Sequence, residues 1–291
     1  IVADREEIHQ ITCRRGQPLQ VATVTYPQRS RLLVHQEFRN MTLDDLDLEI
    51  GRIISDNITS LAAEVKENPE IPAVLAAHLS VSEAKQGSEQ SVMIGRDVVV
   101  LKSLLADAAW DYVALGHIHK HQELNRGQQP PIVYPGSLER IDFGEEKEPK
   151  GFVVAEVRRG HAEWEFRPVD ARRFVTIRAD VRDEAEPLEA LLATIARQDV
   201  ADAVVRVLVQ ARAEQEGLLR DADIRRALKE AYYVAGISRE IERPYRQRLG
   251  GESPGELTPG QLLARYLESR DTPPERVELL LRHAQEIIQA Q

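Results

Sequence analysis

The sequence lacks the marks of several protein classes. One cysteine, Cys13, among 291 residues cannot form an internal disulfide, which excludes a disulfide-stapled scaffold and fits a reducing compartment. Positive charge is also in short supply. The 38 Lys plus Arg stand against 48 Asp plus Glu, a balance of -10, so a grip on nucleic acid through bulk positive charge alone is excluded. No apolar run approaches the roughly 20 residues that span a bilayer. Position 1 is Ile1 rather than Met, and Asp4 to Glu7 form neither the basic start nor the apolar stretch of a signal peptide. The chain therefore reads as starting inside a longer protein, soluble and cytoplasmic, with no membrane partner. There is no glycine-rich phosphate loop with its lysine, which argues against a nucleotide-driven motor. Ser137 has no Gly-x-Ser-x-Gly setting and Cys13 no neighbouring base, so neither reads as a covalent nucleophile.

What is present is ordinary globular material. Hydrophobic types at 42% and charged types at 30% argue against disorder, and the length suggests two domains. Val21 to Tyr26 reads as a strand closed by Pro27. Thr42 then opens a helix whose Leu46, Ile50, Ile53, Ile54, Ile58, Leu61, Ala62 and Val65 share one face, as expected of a helix covering a sheet. Two apolar strands follow, Ala73 to Ala77 ending in His78 and Tyr112 to Leu115 ending in Gly116-His117. Buried strands alternating with helices and carrying polar residues at their carboxyl ends predict an α/β domain with its site on that edge. Further strands are expected at Ile132 to Tyr134, Phe152 to Val157 and Glu163 to Phe166. The charged stretch Gly144 to Gly151 reads as a solvated hairpin tip.

Beyond Arg173 the alternation begins afresh: strand Phe174 to Val181, a helix from Pro187, strand Ala203 to Gln210, a helix capped by Asp221, and a strand near Ile237 to Ile241. Val205, Val207 and Val209 give the middle strand one apolar face. Residues 171–243 are thus expected to form a small β-α-β-α-β module, after a main domain of residues 1–170. Residues 244–257, rich in Pro, Gly and charge, read as a linker. Residues 258–291 carry two helix starts, Thr258 with Pro259 and Gln261, then Thr272 with Pro273 and Glu275. Such a short hairpin buries little of its own surface and is expected to dock on something else.

The chemistry lies in Gly116-His117-Ile118-His119. The glycine permits a sharp exit from the strand, and imidazoles two residues apart emerge on one side of an extended chain. That spacing suits two metal ions, which together activate a water and clamp a phosphoryl oxygen. His78, on its own strand, can reach the same sheet edge as a third imidazole. His121 continues the alternation, with solvent as its expected surroundings. Arg172, Arg173, Arg178 and Arg206 are candidates for a local basic strip, although a solvated face is the commoner role.

Taken with His78 after Val74-Leu75-Ala76-Ala77 and with Tyr112 to His119, the stretch from Tyr134 to Gly144, Tyr-Pro-Gly-Ser-Leu-Glu-Arg-Ile-Asp-Phe-Gly, resembles the SbcD family, the nuclease component of the bacterial SbcCD complex. This family belongs to the calcineurin-like metallophosphoesterases. The histidine motif is general to that superfamily, and the Gly136 to Gly144 stretch points to the subfamily.

The resemblance implies a metallophosphoesterase β-sandwich flanked by helices, of mixed α/β class, with 171–243 as a capping domain that helps place DNA. It implies a manganese-dependent nuclease acting on DNA ends and hairpins in repair and recombination, with two divalent ions, His78 and His117 on one and His119 on the other. Ser137 and Arg140 become candidate phosphate contacts. The last hairpin, through Leu280, Leu281, Ala284, Ile287 and Ile288, becomes the element that docks on the coiled coil of an SbcC-type ATPase, in a heterotetramer built on a homodimer. Two departures stand out. Leu138 replaces a usual Pro, and the family's upstream Asp-x-His, Gly-Asp and Gly-Asn-His-Asp motifs are absent from these residues, so the chain is expected to hold the second half of the site and to be inactive alone. The alternatives are a calcineurin-like phosphatase or phosphodiesterase for a small substrate, and a non-catalytic docking fragment.

Overall fold

The structure, a computed structural model, describes residues 4–33, 36–38, 41–85, 97–242, 258–270 and 272–289; the expected linker at 244–257 lies outside them. The first part contains β1 (Glu7–Thr12), β2 (Pro18–Val24), the short α1 (Arg29–Leu32), α2 (Leu43–Val65), β3 (Ala73–His78), β4 (Ser80–Val81), β5 (Val99–Val100), the short α3 (Lys102–Leu105), β6 (Tyr112–Gly116), β7 (Gln122–Glu123) and β8 (Ile132–Tyr134). Six of these strands form one sheet in the order β1-β2-β3-β6-β8-β7. Its centre, β2-β3-β6-β8, is parallel, and β1 and β7 add antiparallel edges.

The apolar period of α2 explains one side of this sheet. Thr42 caps the helix by accepting the Asp45 N–H, and Leu46, Ile50, Ile54, Ile58, Leu61, Ala62 and Val65 are buried, as the sequence predicts, while Ile53, expected on the same face, is only partly covered. They pack on Ala73, Leu75 and Ala77, the alternate residues of β3, in a single core. The opposite face meets the antiparallel hairpin of β9 (Gly151–Arg158) and β10 (His161–Pro168), where Tyr112, Val133 and Ala162 are buried beside Val74, Ala114, Val153, Ala155 and Trp164. Helix on one side and sheet on the other give the mixed α/β architecture expected.

Next come β11 (Phe174–Asp180), α4 (Pro187–Ala196), β12 (Val204–Arg212), α5 (Asp221–Ala227) and β13 (Tyr233–Glu242), a parallel three-stranded sheet in chain order. With strands in sequential order, right-handed crossovers put both helices on one face. Val205, Val207 and Val209 are buried there with Ile177, Leu191, Ile195 and Ile224, a core separate from the first. One detail differs from expectation. Asp221 is the first residue of α5 rather than a cap, and its carboxylate pairs with Arg239 of β13. Finally α6 (Pro259–Glu268) and α7 (Pro274–Gln289) form the hairpin, with the Thr258–Gln261 capping box in place. Among the described residues no helix is long and apolar enough to cross a membrane.

Asp111 ties the main sheet to the β9–β10 hairpin. Its buried carboxylate accepts the Ala73 N–H at 2.7 Å, the Gly160 N–H at 2.6 Å and Arg159 Nη1 at 3.0 Å. Removing it leaves two amides without their acceptor and deprives Arg159 of its counter-charge, although that guanidinium keeps the Pro69 and Ala109 carbonyls, so Asp111→Ala should lose about 3 kcal/mol. Urea unfolding checks this: a loss under 1 kcal/mol would show that water replaces the carboxylate.

Candidate metal and phosphoester site

The parallel register of β3 and β6 sets His78 opposite Gly116. The histidine at the end of one strand and those following the other therefore meet at the same sheet edge, with 5.3 Å between the ring centroids of His78 and His117. Gly116 is needed for a reason other than a sharp exit. It is the last residue of β6, and a Cβ there would lie 2.9 Å from His78 Nδ1, so the missing side chain makes room for that imidazole. The backbone reversal falls one residue later, on His117 at φ +102°, a conformation L residues rarely adopt.

His117 and His119 are each held by a carboxylate. His117 Nε2 lies 2.8 Å from Asp97 Oδ2, which also accepts the Ser80 hydroxyl. Burial pushes the Asp97 carboxyl up, but the hydrogen bonds from His117 and Ser80 outweigh it and hold it below the usual Asp range. An ionised Asp97 accepts, so His117 donates through Nε2 and presents Nδ1. His119 shows the complementary arrangement. Its Nδ1 lies 2.9 Å from Glu145 Oε1, leaving Nε2 exposed to the site. Glu145 Oε2 is 2.7 Å from Lys150 Nζ, and both side chains are 0% exposed. Burial pushes the Glu145 carboxyl up, and the bonds from Lys150 and His119 bring it below its ordinary value. His78 is pushed below the ordinary histidine range by burial and by its neighbours His117 and His119, against the pull of Asp97, and is neutral at pH 7. Tyr26 completes the wall. Its ring stands 5.2 Å from that of His117 and 5.7 Å from that of His78, and its hydroxyl donates to Asp97 at 3.4 Å.

Several sequence expectations change here. The charged stretch Gly144 to Gly151 is no solvated tip, since Glu145 and Lys150 are buried within it. His121 does not face solvent: its ring stacks on Phe166 at 4.1 Å, and Nδ1 donates to the Tyr134 carbonyl at 2.9 Å. Arg140 donates to the carbonyls of Glu145, Glu148, Ala171 and Arg172 and so clamps its own loop. Ser137 donates to the Glu139 carbonyl at 2.7 Å and accepts from Lys150 Nζ at 2.9 Å. Gly136, at φ +84°, lets this loop approach; a Cβ would lie 2.7 Å from the His119 carbonyl oxygen. Arg172 and Arg173 pair with Asp202 and Asp199, and Arg206 lies over the Phe143 ring. Asp97, Glu145, Lys150 and Tyr26 escape sequence reasoning.

Among the described residues no group of three or more His, Cys, Asp or Glu side chains is placed to hold a metal ion by itself. The donors nevertheless have the right chemistry for part of a site. A ligating histidine ordinarily gives its second N–H to a carboxylate, which fixes the tautomer and turns the other nitrogen outward, and His117 and His119 both have this partner.

The chain is 30% identical over 166 residues to the SbcD component of the nuclease SbcCD of Bacillus subtilis (strain 168), a match covering 55% of this chain and 40% of that protein. It is 37% identical over 62 residues to the uncharacterized metallophosphoesterase YhaO of the same strain, covering 21% of this chain and 15% of that protein. No family model matches the chain. The two similarities support a relationship to the metallophosphoesterase superfamily and do not single out one member of it. The chain spans less than half the length of either relative in these matches.

Gly116→Ala tests the packing at the strand ends. The added methyl must displace the His78 ring, so the ring's NMR resonances should move while stability falls by only about 1–2 kcal/mol. Unmoved His78 resonances would show that the ring does not lie over Gly116.

Proposed function

We propose that this chain is the carboxyl-terminal part of a metal-dependent DNA nuclease of the SbcD type. The observation that carries the reading is the approach of His78 to His117 at one sheet edge, with His119 two residues further on and the carboxylates of Asp97 and Glu145 bonded to His117 and His119. In this reading His78 and His117 hold one divalent ion and His119 the other, manganese being the preferred metal. Such ions supply positive charge that activates a water and clamps the phosphoryl oxygens of a phosphodiester. The chain's own residues orient the imidazoles, keep His78 neutral and close one wall with Tyr26. Further ligands come from residues outside these 291, in keeping with the 40% of the SbcD relative that the match covers. Ser137 and Arg140 fix the loop beside the site, and in this reading a phosphate contact of either adds to the bonds they already make within it.

The same reading assigns residues 171–243 to positioning duplex DNA and the α6–α7 hairpin to an SbcC-type ATPase, within a heterotetramer acting in repair and recombination. What supports the hairpin's role is its surface. No residue of α6 is buried, Leu279 is half exposed and Leu280 about a third (36%), Leu281 and Ala284 are partly covered, and the side chains of Ile287 and Ile288 lie outside the described residues. The small-substrate phosphoesterase gives neither module nor hairpin a task.

Cleavage of a labelled duplex with added manganese is the test. The full-length protein should cut and its His117→Ala variant should lose at least 100-fold, while residues 1–291 alone should not cut. Metal-independent or absent cleavage by the full-length protein overturns the nuclease reading, and His117-dependent cleavage by the 291 residues shows that no further ligands are needed. For the hairpin, Leu280→Asp should abolish co-purification with the ATPase, because it sets a charge in an apolar contact. Retained co-purification at moderate salt would place the partner's contact elsewhere.

A further inference from the structure

The 3-10 turn Phe143–Glu145, with Glu146 after it, touches two parts of the molecule at once. On one side Glu145 holds His119 Nδ1 at 2.9 Å and Lys150 Nζ at 2.7 Å. On the other, Glu146 Oε1 accepts the Thr176 N–H at 3.1 Å and Glu146 Oε2 the Thr176 hydroxyl at 2.5 Å, both on β11. Thr176 Oγ1 in turn accepts Arg206 Nε at 2.9 Å, from β12. The Arg206 guanidinium lies 4.3 Å from the centre of the Phe143 ring, and that ring meets Phe174 edge-on at 4.9 Å. Arg140 adds a second bond between the same parts, donating to the Glu145 carbonyl at 3.1 Å and to those of Ala171 and Arg172 just before β11. Inside the turn, Asp142 Oδ1 accepts the Gly144 N–H at 2.6 Å and closes it locally.

We propose that Glu145 is a positioning residue for His119, and that the three-stranded module sets its position by seating the Phe143–Glu146 turn. The carboxylate accepts the hydrogen bond from Nδ1–H, so the Nε2 lone pair is the one His119 offers. Partners of this kind typically change metal affinity by 10- to 100-fold when removed. The turn is four residues long and anchored at both ends, so a displacement of the module has no slack in which to dissipate before it reaches Glu145. The module thereby acts on the site through Glu146, Phe143 and Arg140, apart from any contact of its own with a substrate. The inference rests on the metal role of His119 set out above.

The test titrates manganese into the full-length protein, following the free ion by its paramagnetic resonance signal, and records the ring-nitrogen shifts of His119 in the metal-free state. Glu145→Gln should weaken manganese binding about 10- to 100-fold and shift His119 away from the Nδ1-protonated tautomer. Because that change leaves Lys150 buried with Glu148 as its one remaining carboxylate among the described residues, the double variant Glu145→Gln with Lys150→Met, which removes both charges, serves as the control for folding and should show the same loss. Thr176→Val with Arg206→Leu, which changes no proposed metal ligand, should weaken binding severalfold in the same direction and disturb the same His119 resonances. Unchanged affinity and tautomer in the Glu145 variants overturn the positioning role, and unchanged values in the Thr176–Arg206 variant overturn the module's part in it. His117→Ala separates the two levels. If it abolishes binding while Glu145→Gln does not, only this inference fails; if neither variant alters binding, the metal reading fails with it.

Discussion

The pair formed by Glu145 and Lys150 has no contact with water, and much of the site is arranged around it. Withdrawing two such charges from solvent costs several kcal/mol for each, and their mutual attraction rarely does more than offset that. The geometry here supplies the rest. The ammonium has acceptors in Glu145, the Ser137 hydroxyl and the His119 carbonyl, while the carboxylate also takes His119 Nδ1 and the Ile141 N–H. A hydrophobic pair of equal volume would fold at least as well. What it would not do is fix the height of the Ser137 loop, the backbone at His119 and the orientation of its ring through one connected set of bonds. The pair therefore contributes position more than stability.

The parts of this arrangement that were legible in the sequence are those whose information is local. The buried face of α2 follows from a 3.6-residue period, the apolar face of β12 from a period of two, and the histidines from residue type at strand ends. Glu145 and Lys150 sit in a run of alternating charges, and nothing within that run separates the two buried members from Glu146, Lys147 and Glu148. Their burial is decided by His119 and Ser137, which are brought near only by the tertiary fold. Asp97 has the same difficulty, since its partners His117, Ser80 and Tyr26 come from three other segments. Gly116 shows a subtler failure. A glycine before a histidine motif suggests a turn, whereas here the backbone is ordinary and the constraint is an imidazole from the neighbouring strand.

Charge on the three-stranded module obeys a different physics. Arg172, Arg173, Arg182, Arg212 and Arg239 each face an aspartate, and these pairs lie mostly in solvent. Exposed pairs contribute about 0–1 kcal/mol, so another anion can take the place of the carboxylate at little cost. An overall acidic balance and a surface able to accept phosphate are for that reason compatible. Arg206 departs from this pattern, since its bond to Thr176 and its stacking on Phe143 give it a packing role.

The strained residue lies where these constraints converge. A non-glycine φ of +102° costs on the order of 1–3 kcal/mol and persists only where the surroundings over-determine it. At His117 they do. Gly116 is fixed by the ladder to β3, Ile118 is anchored in the core, and the ring between them is gripped by Asp97 and flanked by Tyr26 and His78. Relaxing the backbone to an extended form would turn the imidazole away from His78 and break its bond to Asp97. The fold thus holds His117 in an unfavourable conformation, and the geometry it preserves is the approach of two imidazoles at the carboxyl ends of adjacent parallel strands, one of them bonded to a buried carboxylate.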